Sequence, residues 1–432
     1  MKRRLLPILM TLVLVCALPI WAAFVTSGDV TNPLVCTAGA TSSEESAVDK
    51  LKLAISRGVD AQLTEDIEIT QTLYVERSMT IDLNGHVLKM TGNSSVLRVK
   101  KDGPHPATLT ITDSRPQNPH GSYAGLPAGG VITGGKGPYV TGIYYVGGAV
   151  FLEKDTPLKL EGGTLTGNSG SSIYIGGATL VMSGGTITGE TVGVYNNVGT
   201  FTMTGGRITG CSDRGVYVYN GNMTMSGTAY IGENPNARRE DIYVYESDHK
   251  HTDLSVTGGT IAGNVRIVFL ESLRPTQDEL KAAANSVVKE QGVFDGHIKV
   301  EKGTSGTCVD YNSVNFIDEV AKTRTLKLVL QPNAVEEPET PATVNGREFM
   351  YWAKEGASEA WDFNTVIEVP LTLYAVRTPA SSSGGYYYYP TTDTKADDTK
   401  GSPKTADPGV ALYAALSLLS LTGLTCTARK KF

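Results

Sequence analysis

Gly184-Gly185-Thr186-Ile187-Thr188-Gly189 decides the fold, because the chain repeats this stretch at a nearly fixed spacing. Consecutive copies begin 22, 21 and 22 residues apart, and the last copy follows an insertion. Repeats of this length indicate stacked structural units, none of which buries its apolar side alone. The copies, the fourth of them degenerate, are Gly162–Gly167, Gly184–Gly189, Gly205–Gly210, Gly227–Gly232 and Gly258–Gly263, with an early one at Gly129–Gly134.

Each unit contains three short runs in which apolar and polar residues alternate, as in strands that bury one face. Glycine and asparagine separate the runs, where the chain must turn. Three strands and three turns per unit describe one coil of a parallel β-helix, so the predicted fold class is all-β. The predicted inward rows are Leu165, Ile187, Ile208 and Ile261; Ile173, Ile175, Val194, Val216, Val218, Ile242 and Val244; and Leu160, Leu180, Met182, Phe201, Met203, Met223, Met225, Leu254 and Val256.

Short capping helices are predicted at both ends of the coils. Residues 42–57 space their apolar side chains as a helix does, with Ser42 and Ser43 as caps and Gly58 at the end. Such a helix protects the open strand edge of the first coil. A second helix is predicted for residues 276–290, which begin with a Thr-x-x-Glu capping pair.

The two ends of the chain carry targeting patterns. Residues 1–23 combine a basic start, an apolar body and small residues, which predicts a secretory signal peptide. Residues 402–406 read Ser-Pro-Lys-Thr-Ala and precede an apolar run and a basic tail. This arrangement resembles the cell-wall sorting signal of Gram-positive bacteria, with serine and alanine where the usual motif has leucine and glycine. The resemblance implies that a sortase cleaves between Thr405 and Ala406 and joins Thr405 to peptidoglycan; the alternative is a plain membrane anchor.

Residues 323–378 carry aromatic runs that predict a small β module. The runs Phe-Met-Tyr-Trp, Trp-Asp-Phe and Leu-Thr-Leu-Tyr-Ala resemble the Listeria–Bacteroides repeat, the B-repeat of internalins. The resemblance implies a β-grasp-like module that serves as a spacer or an interaction unit. The predicted segments are therefore 1–23 signal peptide, 24–58 N-terminal segment and capping helix, 59–270 parallel β-helix, 271–322 C-terminal cap, 323–378 small β module, 379–401 flexible linker and 402–432 sorting signal with hydrophobic span.

Residues 63–268 resemble the pectin-lyase-like β-helix superfamily in the cadence of the repeat. The resemblance implies a right-handed parallel β-helix. Enzymes of that family cluster carboxylates on one exposed sheet, for calcium or for hydrolysis. The regular coils here place threonine, serine, asparagine and tyrosine outward, so no catalytic residue is assigned. An exposed group of three carboxylates in one groove would reverse that assignment; the candidates are Asp82, Glu153, Asp213 and Asp241.

The insertion at residues 233–253 is rich in acids and histidines. His249 and His251, beside Asp248 and Asp253, are residue types that bind metals. A solvated loop is the favoured alternative, because no second group of ligands at fixed spacing accompanies them. The prediction is therefore that the chain holds no metal and no cofactor.

Tyrosine recurs on the outward side of the second run of each coil. Coils stack about 4.8 Å apart, so the rings are expected to form a ladder. One interpretation is a flat aromatic strip that binds a glycan or a protein. The other is that tyrosine suits an exposed strand and stacks on its own kind. The first row contains Tyr174, Tyr195, Tyr217 and Tyr243, with Tyr144 extending it, and the second row contains Tyr219 and Tyr245.

The predicted mature chain is acidic. Removing the six basic residues and one acidic residue of its two ends from totals of 38 and 44 leaves a net charge of −11. An acidic surface argues against nucleic acid or an anionic membrane as a partner. Cys36, Cys211 and Cys308 are too few and too scattered for a disulfide framework, and Cys211 is expected to be a buried free thiol.

Together these patterns predict a secreted protein of the cell wall of a Gram-positive bacterium. Its predicted role is that of an adhesin-like or carbohydrate-binding protein without catalysis. Sortase, peptidoglycan and a glycan or host-surface ligand are the expected partners, and the C-terminal span is expected to contact the membrane only before sorting. The alternative is a polysaccharide lyase or glycoside hydrolase of the pectin-lyase-like superfamily.

Overall fold

The computed structural model describes residues 46–140, 145–235, 240–247, 254–287, 293–303 and 308–379, and the backbone of a strand at Leu34–Cys36. The predicted signal peptide, nearly all of the linker and the sorting signal, with Thr405 and Ala406, lie outside the described residues. Within the described ranges, no helix is long and apolar enough to span a membrane.

Short strands are the main regular elements of the described chain. Its helices are α1 (Ala47–Arg57), α2 (Gln277–Val287) and a 3-10 turn at Glu271–Leu273. The strands, in chain order, are β1 (Leu34–Cys36), β2 (Ala61–Leu63), β3 (Ile67–Ile69), β4 (Leu73–Val75), β5 (Met79–Asp82), β6 (Val87–Met90), β7 (Leu97–Val99), β8 (Leu109–Thr112), β9 (Val131–Thr133), β10 (Val150–Leu152), β11 (Pro157–Leu160), β12 (Thr164–Thr166), β13 (Ser171–Gly176), β14 (Thr179–Met182), β15 (Thr186–Thr188), β16 (Val192–Asn197), β17 (Thr200–Met203), β18 (Arg207–Thr209), β19 (Arg214–Tyr219), β20 (Asn222–Met225), β21 (Tyr230–Gly232), β22 (Glu240–Glu246), β23 (Leu254–Val256), β24 (Thr260–Ile261), β25 (Asn264–Phe269), β26 (Val293–Phe294), β27 (His297–Lys302), β28 (Cys308–Asp318), β29 (Thr323–Leu330), β30 (Phe349–Ala353) and β31 (Leu371–Arg377).

The strands form three sheets, and successive coils add one strand to each. Sheet A runs β1-β2-β5-β8-β11-β14-β17-β20-β23, and sheet B runs β3-β6-β9-β12-β15-β18-β21-β24-β26. Sheet C runs β4-β7-β10-β13-β16-β19-β22-β25-β27, and β28 then joins it. Every neighbouring pair before β28 is parallel. The predicted parallel β-helix is confirmed.

The register of the strands builds the inward rows from the repeat. Leu165 lies opposite Ile187, which lies opposite Ile208. The degenerate copy supplies Ile231, and Ile261 follows it. All five side chains are fully buried. Identical positions of the repeat therefore stack directly on one another, and the apolar core runs along the axis of the coils.

Asn196 interrupts the second inward row. It lies in register with Ile175 and Val218, and its side chain is fully buried. The amide Nδ2 donates to the carbonyl of Asn222 at 2.9 Å, and Oδ1 accepts from the N–H of Gly199 at 3.0 Å. These bonds satisfy a polar group at a position where its neighbours are apolar.

Helix α1 packs against the first coil, as predicted. It begins at Ala47 with Ser46 as its N-cap, whose side chain accepts from the N–H of Asp49 at 3.2 Å. Ser42 and Ser43, the predicted caps, lie outside the described residues. Gly58 ends the helix in the left-handed conformation. The face turned to the coil buries Leu51, Ala54 and Ile55.

The parallel ladders continue past residue 270, the predicted end of the β-helix. Strands β26 and β27 pair in parallel with β24 and β25. Helix α2 is thus an excursion between coils and packs on β23, β27 and β28. Its predicted capping pair forms, since the N–H of Thr276 donates to Glu279 at 2.7 Å and Thr276 Oγ1 accepts from the N–H of Glu279 at 3.2 Å.

Strand β28, which lies inside the predicted cap, joins the sheet of the small β module to the coils. Strand β28 pairs antiparallel with both β27 and β29 and parallel with β31, and β31 pairs antiparallel with β30. The sheet of the module is therefore continuous with sheet C. The module has an apolar core of its own, formed by Val314, Phe316, Val329, Val335, Trp352, Ile367 and Leu373.

A column of polar side chains fills one corner of the coils, between sheets B and C. Asn168, Glu190 and Cys211 follow the last glycine of successive copies, and Asn234 continues the column. The N–H of Asn168 donates to Glu190 at 2.9 Å, and the N–H of Cys211 donates to Asn234 at 2.8 Å. Cys211 is a buried free thiol, as predicted, and burial raises its pKa to about 12.

Candidate functional site

One row of side chains runs along the outer face of sheet C, which points away from the core. We call it the outer row. Strand register places in line Tyr74, Arg98, Phe151, Tyr174, Tyr195, Tyr217, Tyr243, Arg266, Lys299 and Asp310.

The repeat of tyrosines in the sequence marks only four consecutive members of the outer row. The missed members lie in coils that depart from the repeat, so the tyrosine pattern does not reach them. A signal is nevertheless present in the sequence. Arg98, Phe151, Arg266 and Lys299 each stand between two apolar residues that the structure buries, as the tyrosines mostly do.

The rings at the centre of the outer row form the expected ladder. The centroids of Phe151 and Tyr174 are 4.7 Å apart, and those of Tyr174 and Tyr195 are 5.5 Å apart. Tyr195 and Tyr217 stack at 4.7 Å with nearly parallel planes, and Tyr243 meets Tyr217 edge to face at 5.2 Å. Neighbouring rings therefore cover part of each other's surface.

Tyr195 shows that this ladder is not an open, flat strip. Its side chain is only 3% exposed, and Tyr174 and Tyr217 are half-buried. Val140 and Val146, which precede β10, belong to the apolar cluster around Tyr195. A segment outside the repeat therefore packs on the ladder at this coil and leaves its central ring almost without exposed surface.

The second row of tyrosines is shorter, and a hydrogen bond fixes Tyr219 in it. Tyr219 and Tyr245 stack with their centroids 5.6 Å apart. The hydroxyl of Tyr219 accepts from Ser247 Oγ at 3.2 Å. In the outer row, Asn197 Nδ2 donates to the hydroxyl of Tyr174 at 2.7 Å. The rings are thus held in place on the surface. Tyr144 lies outside the described residues.

Arginines lie against the aromatic part of the outer row at both ends. The guanidinium of Arg98 is 4.5 Å from the Phe151 ring, and its Nε donates to Glu153 at 2.7 Å. The guanidinium of Arg214 is 4.1 Å from the Tyr243 ring. Such contacts stabilise both the cation and the ring. Burial raises the pKa of the Tyr243 hydroxyl.

Beyond Tyr243 the outer row becomes a network of paired charges. Arg266 Nη1 donates to Glu240 at 3.1 Å, and Arg266 Nε donates to Glu301 at 2.8 Å. Lys299 Nζ lies 2.9 Å from the second oxygen of Glu301. Burial acts to raise the pKa of Glu301, but the hydrogen bonds from Arg266 and Lys299 hold it below its usual value.

Two neighbouring cavities open beside this network and share Asn264 and His297. The first has a volume of about 410 Å³ and is lined by Glu240, Asn264, Val265, Arg266, His297 and Lys299. The second has a volume of about 620 Å³ and lies between the last coil and the small module; it is lined by Ala262, Gly263, Asn264, Asp295, Gly296, His297, Asn312, Glu368, Val369 and Pro370.

His297 stands between the two cavities. Its Nε2 lies 3.2 Å from Asp310, and its backbone N–H donates to Asn264 Oδ1 at 3.2 Å. Burial lowers the pKa of His297, although Asp310 acts to raise it. The imidazole is therefore largely neutral near pH 7, where it can both donate and accept a hydrogen bond.

The four acids proposed as possible catalytic residues do not form one group. Asp82 lies on sheet A and accepts from Gln62 at 2.8 Å. Glu153 bonds Arg98, and Asp213 bonds Arg214. Asp241 is buried and accepts from Asn234 Nδ2 at 2.7 Å. These four candidates therefore do not provide the exposed cluster that would indicate an enzyme.

Three carboxylates do gather at the end of sheet C, where no repeat in the sequence marks them. They belong to Glu240, Glu301 and Asp310, of which Glu240 and Glu301 are buried and both bonded to Arg266. Among the residues that the structure describes, no group of three histidine, cysteine or acidic side chains could hold a metal ion. Asp248, His249, His251 and Asp253 lie outside those residues.

Comparison of the chain with protein-family models, with curated proteins and with solved structures gives no match.

Proposed function

We propose that this chain is a secreted, surface-displayed protein that binds carbohydrate without catalysing a reaction. The observation that carries the proposal is the outer row, in which stacked aromatic rings lead into a groove of paired charges and amides. Aromatic rings pack against the C–H faces of sugars, and fixed polar groups bind their hydroxyls. A groove with both features supports binding of an extended glycan.

The pairing of the charges favours binding over catalysis. A glycosidase needs one carboxyl whose pKa is raised so that it can donate a proton. The pKa of Glu301 is lowered instead, for the reasons given above, and Glu240 shares Arg266 with it. A lyase or hydrolase is therefore the second candidate function. Incubation with polysaccharides should release no new reducing or unsaturated ends.

A glycan array tests the binding proposal. Residues 24–380 should retain at least one class of glycan, and Tyr243→Ser should weaken that binding about tenfold, or about 1.4 kcal/mol. Tyr230→Ser is a matched control, because Tyr230 lies on sheet B and also contacts an arginine, Arg207, at 3.9 Å. Equal losses in the two variants, or no retained glycan, would count against the proposal. Tyr195 is too deeply buried to serve as a probe.

Surface display rests on the sequence patterns at the two ends of the chain. A sortase would join Thr405 to peptidoglycan after cleavage before Ala406. Muramidase digestion of the wall should yield the wild-type chain as a ladder of species linked to wall fragments. Thr405→Ala should abolish this ladder and release the protein from the wall fraction. Continued covalent linkage of the variant would refute the assignment of Thr405.

A further inference from the structure

The larger cavity is built jointly by the last coil and the small β module. Residues 262–264 and 295–297 form the wall on the coil side, and residues 368–370 form the wall on the module side. The module wall is fixed, since Asn312 Nδ2 donates to the carbonyl of Ile367 at 3.1 Å and the N–H of Ile367 donates to Asn333 at 3.0 Å. The cavity therefore exists only while the module and the coil are joined.

The lining of this cavity suits a sugar. Asn264 and His297 line it with an amide and an imidazole, which both donate and accept hydrogen bonds, whereas the buried amide of Asn312 is bonded to Ile367. Val369 and Pro370 form an apolar side, and Val369 is 67% exposed. The volume of about 620 Å³ lies within the range of small-molecule sites.

The charge of the cavity selects among sugars. Among the described residues, its lining contains two carboxylates, of Asp295 and Glu368, both exposed, and no lysine or arginine. Arg324 acts on Asp295 from β29. Counted with the neighbouring cavity and the direct partners of both linings, five acids face four bases: Glu240, Asp295, Glu301, Asp310 and Glu368 against Arg214, Arg266, Lys299 and Arg324.

We infer that this cavity binds a sugar unit that carries an ammonium group, as in a deacetylated hexosamine. The inference rests on the proposed carbohydrate binding and names the class of sugar. Asp295 and Glu368 bind the ammonium, Asn264 and His297 bind the hydroxyls, and Val369 and Pro370 pack on the C–H face. The excess of acids repels uronic and sialic acids.

Matched oligosaccharides test the inference on residues 24–380. A chitosan hexamer carries ammonium groups, and a chitin hexamer has the same backbone with each amine acetylated. Isothermal titration at about pH 6 and low salt, where the amines are protonated and charges are little screened, should show at least about tenfold tighter binding of chitosan. The double variant D295N/E368Q should lose this preference.

The controls separate the inference from its alternatives. Glu359→Gln changes an exposed acid of the same module outside the cavity and should leave chitosan binding unchanged. A lysine hexamer should bind at least tenfold more weakly than chitosan; equal binding would show only a patch that attracts cations and would overturn the inference.

Two further outcomes are distinguishable. If the glycan array retains other glycans while chitosan binding is absent, equals that of chitin, or is unaffected by D295N/E368Q, the inference fails and carbohydrate binding stands. If the array and both hexamers show no binding, carbohydrate binding itself fails. Thermal unfolding of the double variant, expected to match the wild-type chain, excludes loss of fold as the cause.

Discussion

Glu190 is the carboxylic acid of the polar column at the corner of the coils. Its side chain is 1% exposed. Burial raises the pKa of its carboxyl to about 8, against the hydrogen bonds from Asn168 that lower it. At neutral pH the buried carboxyl therefore mostly keeps its proton, and the column stays nearly uncharged.

The Glu190 carboxyl should make stability depend on pH. In the unfolded chain it loses its proton near its ordinary pKa of 4.5, and in the folded chain near 8. Between these values the unfolded state binds fewer protons, so the free energy of unfolding falls as pH rises. Glu190→Gln should remove this slope and stabilise the protein at about pH 9 by on the order of 3 kcal/mol.

Urea unfolding of both chains at about pH 5 and about pH 9 checks this prediction. The difference in the free energy of unfolding between wild type and variant cancels the titration of all other groups. A difference between the two chains that is the same at both pH values would contradict the assignment.

Within each coil, the second glycine of the Gly-Gly pair explains why the repeat has this form. Gly163, Gly185, Gly206 and Gly259 all have φ between 72° and 79°, in the left-handed region. A Cβ added at Gly206 would lie 2.5 Å from the carbonyl oxygen of Gly184 in the coil before. The pair thus combines a required conformation with a close approach of coils.

Gly206→Ala should destabilise the β-helix by at least about 2 kcal/mol, since both the backbone conformation and the contact with Gly184 become strained. Gly121→Ala is the control: its added Cβ meets nothing within 4 Å, and its φ is not positive. Urea unfolding measures both. Similar losses in the two variants would show that the position in the repeat is unimportant.

The repeat predicts the coils and the inward rows because each coil restates the same alternation. It does not predict the cover over Tyr195, since Val140 and Val146 belong to a segment outside the repeat. The repeat does not predict the groove at the end of sheet C for a related reason. Helix α2 lies between β25 and β27, so the spacing of the repeat is lost before Lys299, which lines the groove.

At the scale of the whole described chain, the module and the β-helix share one sheet. A buried ion pair stabilises the module, as Arg377 Nε donates to Asp318 at 3.0 Å and both side chains are 1% exposed. Arg377 also donates to the carbonyls of Arg347 and Ala342, each at 2.9 Å. The resemblance to a spacer repeat does not predict this union, because β28 lies before the resembling residues.

Arg377→Met should lower the free energy of unfolding by about 3 kcal/mol, because it leaves the Asp318 carboxylate buried without its partner. The double variant D318N/R377M removes the uncompensated charge and should recover part of the loss. Urea unfolding followed by tryptophan fluorescence reports on the module, whose core contains Trp352. A single variant as stable as the wild type would show that the pair is dispensable.

Elements outside the repeat close both ends of the β-helix, so the number of coils between them can vary. Helix α1 covers the first coil, and β28 pairs with the last strand of sheet C. Neither contact depends on how many coils lie between. Duplication of one repeat unit would add one strand to each sheet and separate the ends by about 4.8 Å more. The number of coils can therefore change by whole units while the contacts at the two ends stay the same.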